Sequence, residues 1–144
     1  MHWPGRRIGA AALVLDPRKG VLLVRHTYGW LNWELPGGAS ESGETLGETA
    51  VRELGEETGL AAVAEQLVGI YYEAEHDAHH FVFRCRATSG EPRPSSEEVS
   101  ECGFWDPRAL PRPISDFTVR RIEDALAGTA PALPVTIPPK SWLG

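Results

Sequence analysis

Between Leu35 and Leu60 the chain reads LPGGASESGETLGETAVRELGEETGL, a glycine turn followed by a glutamate-rich run of helical period. At about 100° per residue, Leu46, Gly47, Ala50, Val51, Leu54 and Thr58 share one arc, with Glu53, Glu56 and Glu57 on the arc beside it. A helix of this kind must lay its apolar arc on another layer, which leaves the carboxylates at the edge of the contact. Carboxylates three and four residues apart repel one another, and no lysine on that face relieves them. A cation between them would. Hard divalent ions such as Mg²⁺ take oxygen ligands of this kind and keep positions open for substrate phosphates.

The ends of this helix are marked. Ser42 or Thr45 can cap the start, Glu44 and Glu48 favour the positive end of the dipole, and Gly59 is a stop signal. Gly47 and Gly55 each cost about 1 kcal/mol relative to alanine. Close packing on a sheet explains Gly47; nothing in the sequence explains Gly55.

Around the helix, period-two and β-branched runs predict strands. Ile8–Leu15 and Val21–Val24 flank an Asp-Pro-Arg-Lys-Gly turn and are expected to pair as a short hairpin. Trp33–Leu35 is a brief strand before the Pro36-Gly37-Gly38 turn, with a loop from His26 to Asn32. Ala64–Glu75 and Phe81–Arg86 are strands joined by a turn at His76–His79, and Val99–Trp105 is a last strand after a polar loop from Ser89 to Glu98. Ser115 or Asp116 opens a second helix with an apolar stripe of Val119, Ile122 and Leu126, stopped by Gly128. The tail, at about 129–144, is proline-rich and is expected to lie extended on the surface through Leu133, Val135 and Ile137. The order strands, helix, strands, helix implies an α/β fold in one domain over 1–144, a mixed, partly antiparallel sheet between helices.

A net charge of −6 argues against broad attraction to nucleic acid, so a phosphate-bearing ligand needs metal ions or local arginines. Cys85 and Cys102 follow no metal-ligand spacing and suggest reduced thiols in a cytoplasmic setting. No run approaches the roughly 18 apolar residues of a membrane span. The basic-then-apolar N-terminus runs straight into Asp16-Pro17 and is a first strand rather than a signal peptide.

The helix and its preceding loop also carry a pattern: a glycine, five residues, a glutamate, seven residues, then Arg-Glu-aliphatic-x-Glu-Glu-x-Gly-aliphatic. Gly38, Glu44, Arg52, Glu53, Leu54, Glu56, Glu57, Gly59 and Leu60 meet every fixed position of it. In this the chain resembles the Nudix hydrolases, and the surrounding strand order extends the likeness from about Ile8 to Leu126. The resemblance implies an α/β/α sandwich that splits a diphosphate linkage in a nucleoside diphosphate joined to another group, X, with Mg²⁺ as cofactor and Mn²⁺ as an alternative. It implies Glu53, Glu56 and Glu57 as metal ligands together with the Gly38 carbonyl, Arg52 as the residue fixing a neighbouring glutamate, and Glu44 and Glu41 as supporting acids.

A carboxylate must also take the proton of the attacking water. Glu53 and Glu56 are candidates from the helix, and Glu98 and Glu101 from the loop and strand beyond it; the residues leave the choice open. Arg25 is a candidate for substrate phosphate, and Tyr28 or Trp30 for stacking on a base. His76, His79 and His80 suit a polar hairpin better than a metal site, and Trp3 and Trp142 are candidates for packing together or for a homodimer contact.

Subfamily marks do not fix X. The family's ADP-ribose group has a proline downstream of the motif where Glu75 and His76 stand here, and its diadenosine-polyphosphate group a tyrosine where Asp77 and Ala78 stand. By elimination the expected substrate is a nucleoside triphosphate or small nucleoside diphosphate derivative. ADP-ribose or a nucleotide sugar is the alternative, and a binding module without turnover is the reading from another class.

Overall fold

The computed structural model describes residues 7–128 and 133–144. One mixed sheet contains β1 (Arg7–Leu13), β5 (Gly37–Ala39), β6 (Ala61–Glu73), β7 (Ala78–Ser89) and β10 (Val135–Ile137), side by side in the order β10–β6–β7–β1–β5. A second contains β2 (Leu15–Asp16), β3 (Gly20–His26), β4 (Trp33–Glu34), β9 (Ile114–Ser115) and β11 (Trp142–Leu143) in the order β11–β9–β4–β3–β2, with β8 (Val99–Trp105) paired to β3. The helices are α1 (Leu46–Thr58) and α2 (Asp116–Ala127). No helix among the described residues is long and apolar enough to cross a membrane.

Side-chain alternation decides the layers. Along β1, Ala10 and Ala12 face a cluster with Ala50 and Leu54 of α1, while Ala11 and Leu13 face a cluster with Phe117, Ile122 and Ala125 of α2. β3 divides in the same way: Leu22 packs on the α1 side, Val21 and Leu23 on the α2 side. Both strands are therefore apolar on two faces, as strands between two helix layers must be. Burying a side chain such as Leu54 or Ile122 contributes roughly 1.5–3 kcal/mol each, and both are almost wholly enclosed. The expected mixed sheet structure flanked by helices is present.

Several local expectations need correction. The first two strands do not form one hairpin: β1 lies parallel to β7 and antiparallel to β5, and only Leu15–Asp16 pairs with β3. A bend at Val14, whose carbonyl accepts from Leu22 N at 3.0 Å, hands the chain from one sheet to the other. Pro36-Gly37-Gly38 is not a turn alone, because Gly37–Ala39 is the edge strand beside β1. The His76–His79 turn is shorter and earlier, a 3₁₀ turn over Ala74–His76 with Asp77 left-handed and His79 already in β7. Val99–Trp105 is not the last strand, and the tail is not merely superficial. Ile137 is buried in the α2-side core, β10 runs parallel to β6, and β11 pairs with β9. Trp3 lies outside the described residues; Trp142 stacks instead on Trp30, with ring centroids 5.4 Å apart.

Candidate active site

The glutamate helix is fixed at both ends by its own sequence. Thr45 accepts from Glu48 N at 3.1 Å while Glu48 accepts from Thr45 N at 3.1 Å, a reciprocal capping box. Gly59 takes the left-handed conformation (φ 79°) that ends the helix. The loop after β7 then closes over this end, with Arg93 N donating to the Thr58 carbonyl at 2.9 Å and Ser95 N to the Glu57 carbonyl at 3.0 Å. Further on, Thr27 N donates to the Glu98 carbonyl at 2.9 Å, so the loop ties α1 to the end of β3.

On the exposed side of α1, Arg52 gathers the acids. Its Nε and Nη2 bind Glu44 Oε2 and Oε1 at 3.0 and 2.8 Å. Its Nη1 reaches Glu53 Oε1 at 2.9 Å and Glu56 Oε1 at 3.3 Å, with Glu41 3.6 Å away. Nη2 also donates to the Ala39 carbonyl at 3.1 Å, fastening the helix to β5. The fork from Arg52 and the Thr49 hydroxyl hold the Glu44 carboxyl at about 2, well below the usual range. Arg52 itself is raised, chiefly by Glu44.

The inner acid is Glu57, which is buried, accepts from Gly37 N at 3.1 Å and is hydrogen-bonded to Glu53. Burial, followed by the neighbouring Glu53 carboxylate, pushes its carboxyl up to about 9. One guanidinium thus serves four carboxylates, Glu41, Glu44, Glu53 and Glu56, with Glu57 beside them on Glu53. The set is all hard oxygen and short of positive charge, which fits a hard divalent cation.

Gly37 and Gly38 are needed for close approach, not for unusual backbone angles. A Cβ on Gly37 would stand 2.6 Å from the Ala10 carbonyl oxygen and 2.8 Å from Ala11 Cα. One on Gly38 would stand 2.7–2.9 Å from the Glu53 carboxylate. Gly47 faces Ala64 Cβ at an ordinary 3.5 Å, and nothing in the structure explains Gly55.

The remaining candidates separate. Glu98 is tied through its carbonyl to Thr27 N at 2.9 Å, and its charge contributes to the raised pKa of Glu57 and of Tyr28. Glu101 instead pairs with Arg25 Nη1 at 3.1 Å. Arg25 Nε donates to the Leu31 carbonyl at 2.9 Å, so its guanidinium holds the loop between β3 and β4, and Arg25 does not line the cleft described below. Trp30 is 63% exposed against Trp142 and also stands outside the cleft. Tyr28 does line it, stacked on His26 at 4.6 Å, its hydroxyl pushed up by burial and then by Glu98.

The cleft, of about 680 Å³, runs from Gly37, Gly38 and Ala39 to residues that no motif or spacing marks, Glu34, Glu73, Phe117, Arg121 and Lys140, together with His80. Arg121 pairs with Glu34, and Thr118 Oγ1 donates to the same oxygen at 2.8 Å. Burial opposes the ionisation of Glu34, but the Arg121 charge prevails and lowers its pKa. Glu73 is buried against His80 Nε2 at 3.1 Å, His76 Nδ1 at 3.1 Å and Lys140 Nζ at 3.4 Å. Burial again works against its ionisation, and His80, His76 and Lys140 overcome it and hold its carboxyl at about 2. These residues come from separate strands, a helix and the tail, so no spacing in the chain could reveal them.

Glu73, Glu75 and His76 have donor atoms within 4.8 Å of one another, a cluster that could coordinate a divalent metal. Among the described residues it is the only group of three so closely gathered; Glu53, Glu56 and Glu57 are spread around Arg52 and Gly37 rather than drawn to one point.

Known proteins share this arrangement. A family model described as the NUDIX domain matches residues 5–124. A MutT-like protein of Streptomyces ambofaciens is 30% identical over 128 residues, covering 89% of this chain and 82% of its own. A putative 8-oxo-dGTP diphosphatase of Bacillus subtilis is 32% identical over 116 residues, covering 81% and 77%. Among solved structures, a NUDIX hydrolase from Nitrosomonas europaea superposes with a TM-score of 0.78 at 20% identity, over 94% of this chain and 81% of the other. An ADP-ribose pyrophosphatase from Streptococcus suis gives 0.70 at 24% identity, over 92% and 98%; at these identities both establish the fold alone. With the signature helix intact, its acids on one face and the family model spanning most of its length, the chain belongs to the Nudix family.

Proposed function

We propose that this protein is a Mg²⁺-dependent pyrophosphohydrolase that opens a phosphoanhydride bond of a nucleoside triphosphate or small nucleoside diphosphate derivative by attack of water. The observation that carries the reading is the face made by Glu53, Glu56 and Glu57, where Arg52 is the one cation among several carboxylates, against the Gly37-Gly38 edge of the cleft. Glu53, Glu56 and Glu57, with the Gly38 carbonyl, would hold the ion. When bound, Mg²⁺ neutralises diphosphate oxygens, orients them and lowers the pKa of the attacking water. Arg52 keeps Glu53 and Glu56 aimed at one edge, and Glu44 holds Arg52 in turn.

For the proton of the attacking water, Glu98 is the better placed of the two outer carboxylates. Its charge is felt at Glu57 and Tyr28, whereas Glu101 is occupied by Arg25. The relative named as a putative 8-oxo-dGTP diphosphatase, matched over most of both chains, favours a nucleoside triphosphate over ADP-ribose or a nucleotide sugar.

The test is a panel of nucleoside triphosphates, ADP-ribose and nucleotide sugars with Mg²⁺ or Mn²⁺, comparing wild type with Glu56→Gln. Turnover is expected to fall by about 10³-fold in the variant with the thermal midpoint preserved. Full activity in Glu56→Gln would refute the metal assignment. Nucleotide binding without any phosphorus product in the wild type would make this a sensing module.

A further inference from the structure

Among the described residues, two buried side-chain polar atoms have no hydrogen-bond partner: Glu73 Oε2, an acceptor, and Arg121 Nε, a donor. Both side chains are more than nine-tenths buried, and both residues line the same cleft. A buried donor left without an acceptor costs roughly 1–3 kcal/mol, so Arg121 Nε beside the incompletely hydrogen-bonded Glu73 Oε2 in one cavity points to a ligand that completes them. Glu73 Oε2 is ion-paired with His76 Nδ1 and Lys140 Nζ, at 3.1 and 3.4 Å, but neither contact has well-aligned hydrogen-bond geometry. Neighbouring atoms of the same groups are occupied. Glu73 Oε1 meets His80 Nε2 at 3.1 Å, and Arg121 Nη2 is shared between Glu34 and Thr118.

Their place in the sheet sets the reach. β6, which ends in Glu73, is three strands from β5, which carries Gly37 and Gly38. At about 4.8 Å per strand this separates the two by on the order of 14 Å, a span suited to a ribose and a base extending from a phosphate chain. Chemistry then chooses among occupants. A second phosphate would satisfy Arg121 but set like charge against Glu73. An alkyl group would satisfy neither atom. A neutral heterocycle with an N–H near a carbonyl or bare ring nitrogen satisfies both.

We infer that Glu73 and Arg121 form the nucleobase-reading end of the cleft, Glu73 Oε2 accepting an N–H of the base and Arg121 Nε donating to its acceptor. Lys140 closes this end from the C-terminal tail, its ammonium beside Glu73 and 5.5 Å from the Phe117 ring centre. The inference rests on the nucleotide reading above and assigns the residues that set base preference; neither is a catalytic residue.

The experiment measures kcat and KM, with Mg²⁺, for ATP, GTP, CTP, UTP and the abasic ribose 5′-triphosphate, in wild type, Glu73→Gln and Arg121→Lys. Both variants are expected to raise KM for the preferred nucleotide about tenfold or more, to reorder the four bases, and to leave kcat and the abasic substrate nearly unchanged. Arg121→Lys retains a cation for Glu34, so it stands as the independent variant if Glu73→Gln does not fold. An equal change for the abasic and natural substrates, or a fall in kcat alone, overturns the inference. Loss of one bound Mn²⁺ from Glu73→Gln with base preference intact also overturns it, in favour of a metal at Glu73, Glu75 and His76. If the wild type hydrolyses no nucleotide, the pyrophosphohydrolase reading falls separately. The subsite is then decided by calorimetry with the four nucleoside monophosphates: altered base ranking in either variant supports it, and unchanged ranking overturns it.

Discussion

The acid face of α1, beside the Gly37-Gly38 edge of the cleft, and the far end of the cleft solve the problem of buried charge in opposite ways. At the α1 end, carboxylates outnumber the single Arg52, and Glu57 is buried against Glu53 with its pKa raised. At the other end the charges are matched: Glu34 meets Arg121, and Glu73 meets His76, His80 and Lys140, so both carboxyls ionise more readily than usual. An acid-rich face left short of cations is suited to receiving metal and phosphate. A balanced, rigid network is suited to reading a neutral group by hydrogen bonds.

Removing charge should therefore act in opposite directions at the two ends. Arg121→Met leaves Glu34 buried without its cation and should destabilise the fold by about 3–5 kcal/mol, measured by urea unfolding. A loss below about 1 kcal/mol would mean that Thr118 and the Leu35 backbone N–H suffice to hold Glu34.

Gly38→Ala tests the α1 end through geometry. The added methyl meets the end of the Glu53 side chain rather than backbone, so the carboxylate can swing aside at little cost in stability. Turnover should nevertheless fall by about 10–100-fold, with the thermal midpoint almost unchanged. Gly37→Ala meets backbone at 2.6 and 2.8 Å and should lower stability as well.

The smallest effect is in the pH dependence of stability without metal. Glu57 keeps its proton in the folded state up to about 9, whereas in the unfolded chain it loses it near the ordinary glutamate value of 4.5. Between those values the folded state binds more protons, so stability decreases as pH rises. Chelator-treated protein should lose thermal midpoint steadily from pH 6 to 9. Added Mg²⁺ should restore it, and Glu57→Gln should flatten the slope. A midpoint that rises through this range in wild type would remove the buried acid from the account.

The α1 end was largely readable beforehand because helical period is local. Thr45, Gly59, the apolar arc and the acids lie within one short segment, and propensity, capping and repulsion act between near neighbours. What periodicity did not show is that Glu57 turns inward, since its arc borders the buried one and only the Gly37 amide fixes the choice. Strand positions were readable for the same local reason, but partners were not. Ile8–Leu15 looked like half of a hairpin, and the sheets took its two parts separately.

The sequence by itself determined the signature helix, its caps, its excess of acid and the family those features identify. Only the tertiary structure decided that Arg25 is engaged by Leu31 and Glu101 and Trp30 by Trp142, with neither lining the cleft. It also decided that Glu34, Glu73, Arg121 and Lys140, far apart in the chain, meet within it. The physical reason is range: capping and helical spacing act over one to four residues, whereas strand pairing and ion pairing are set by where separate segments come to rest.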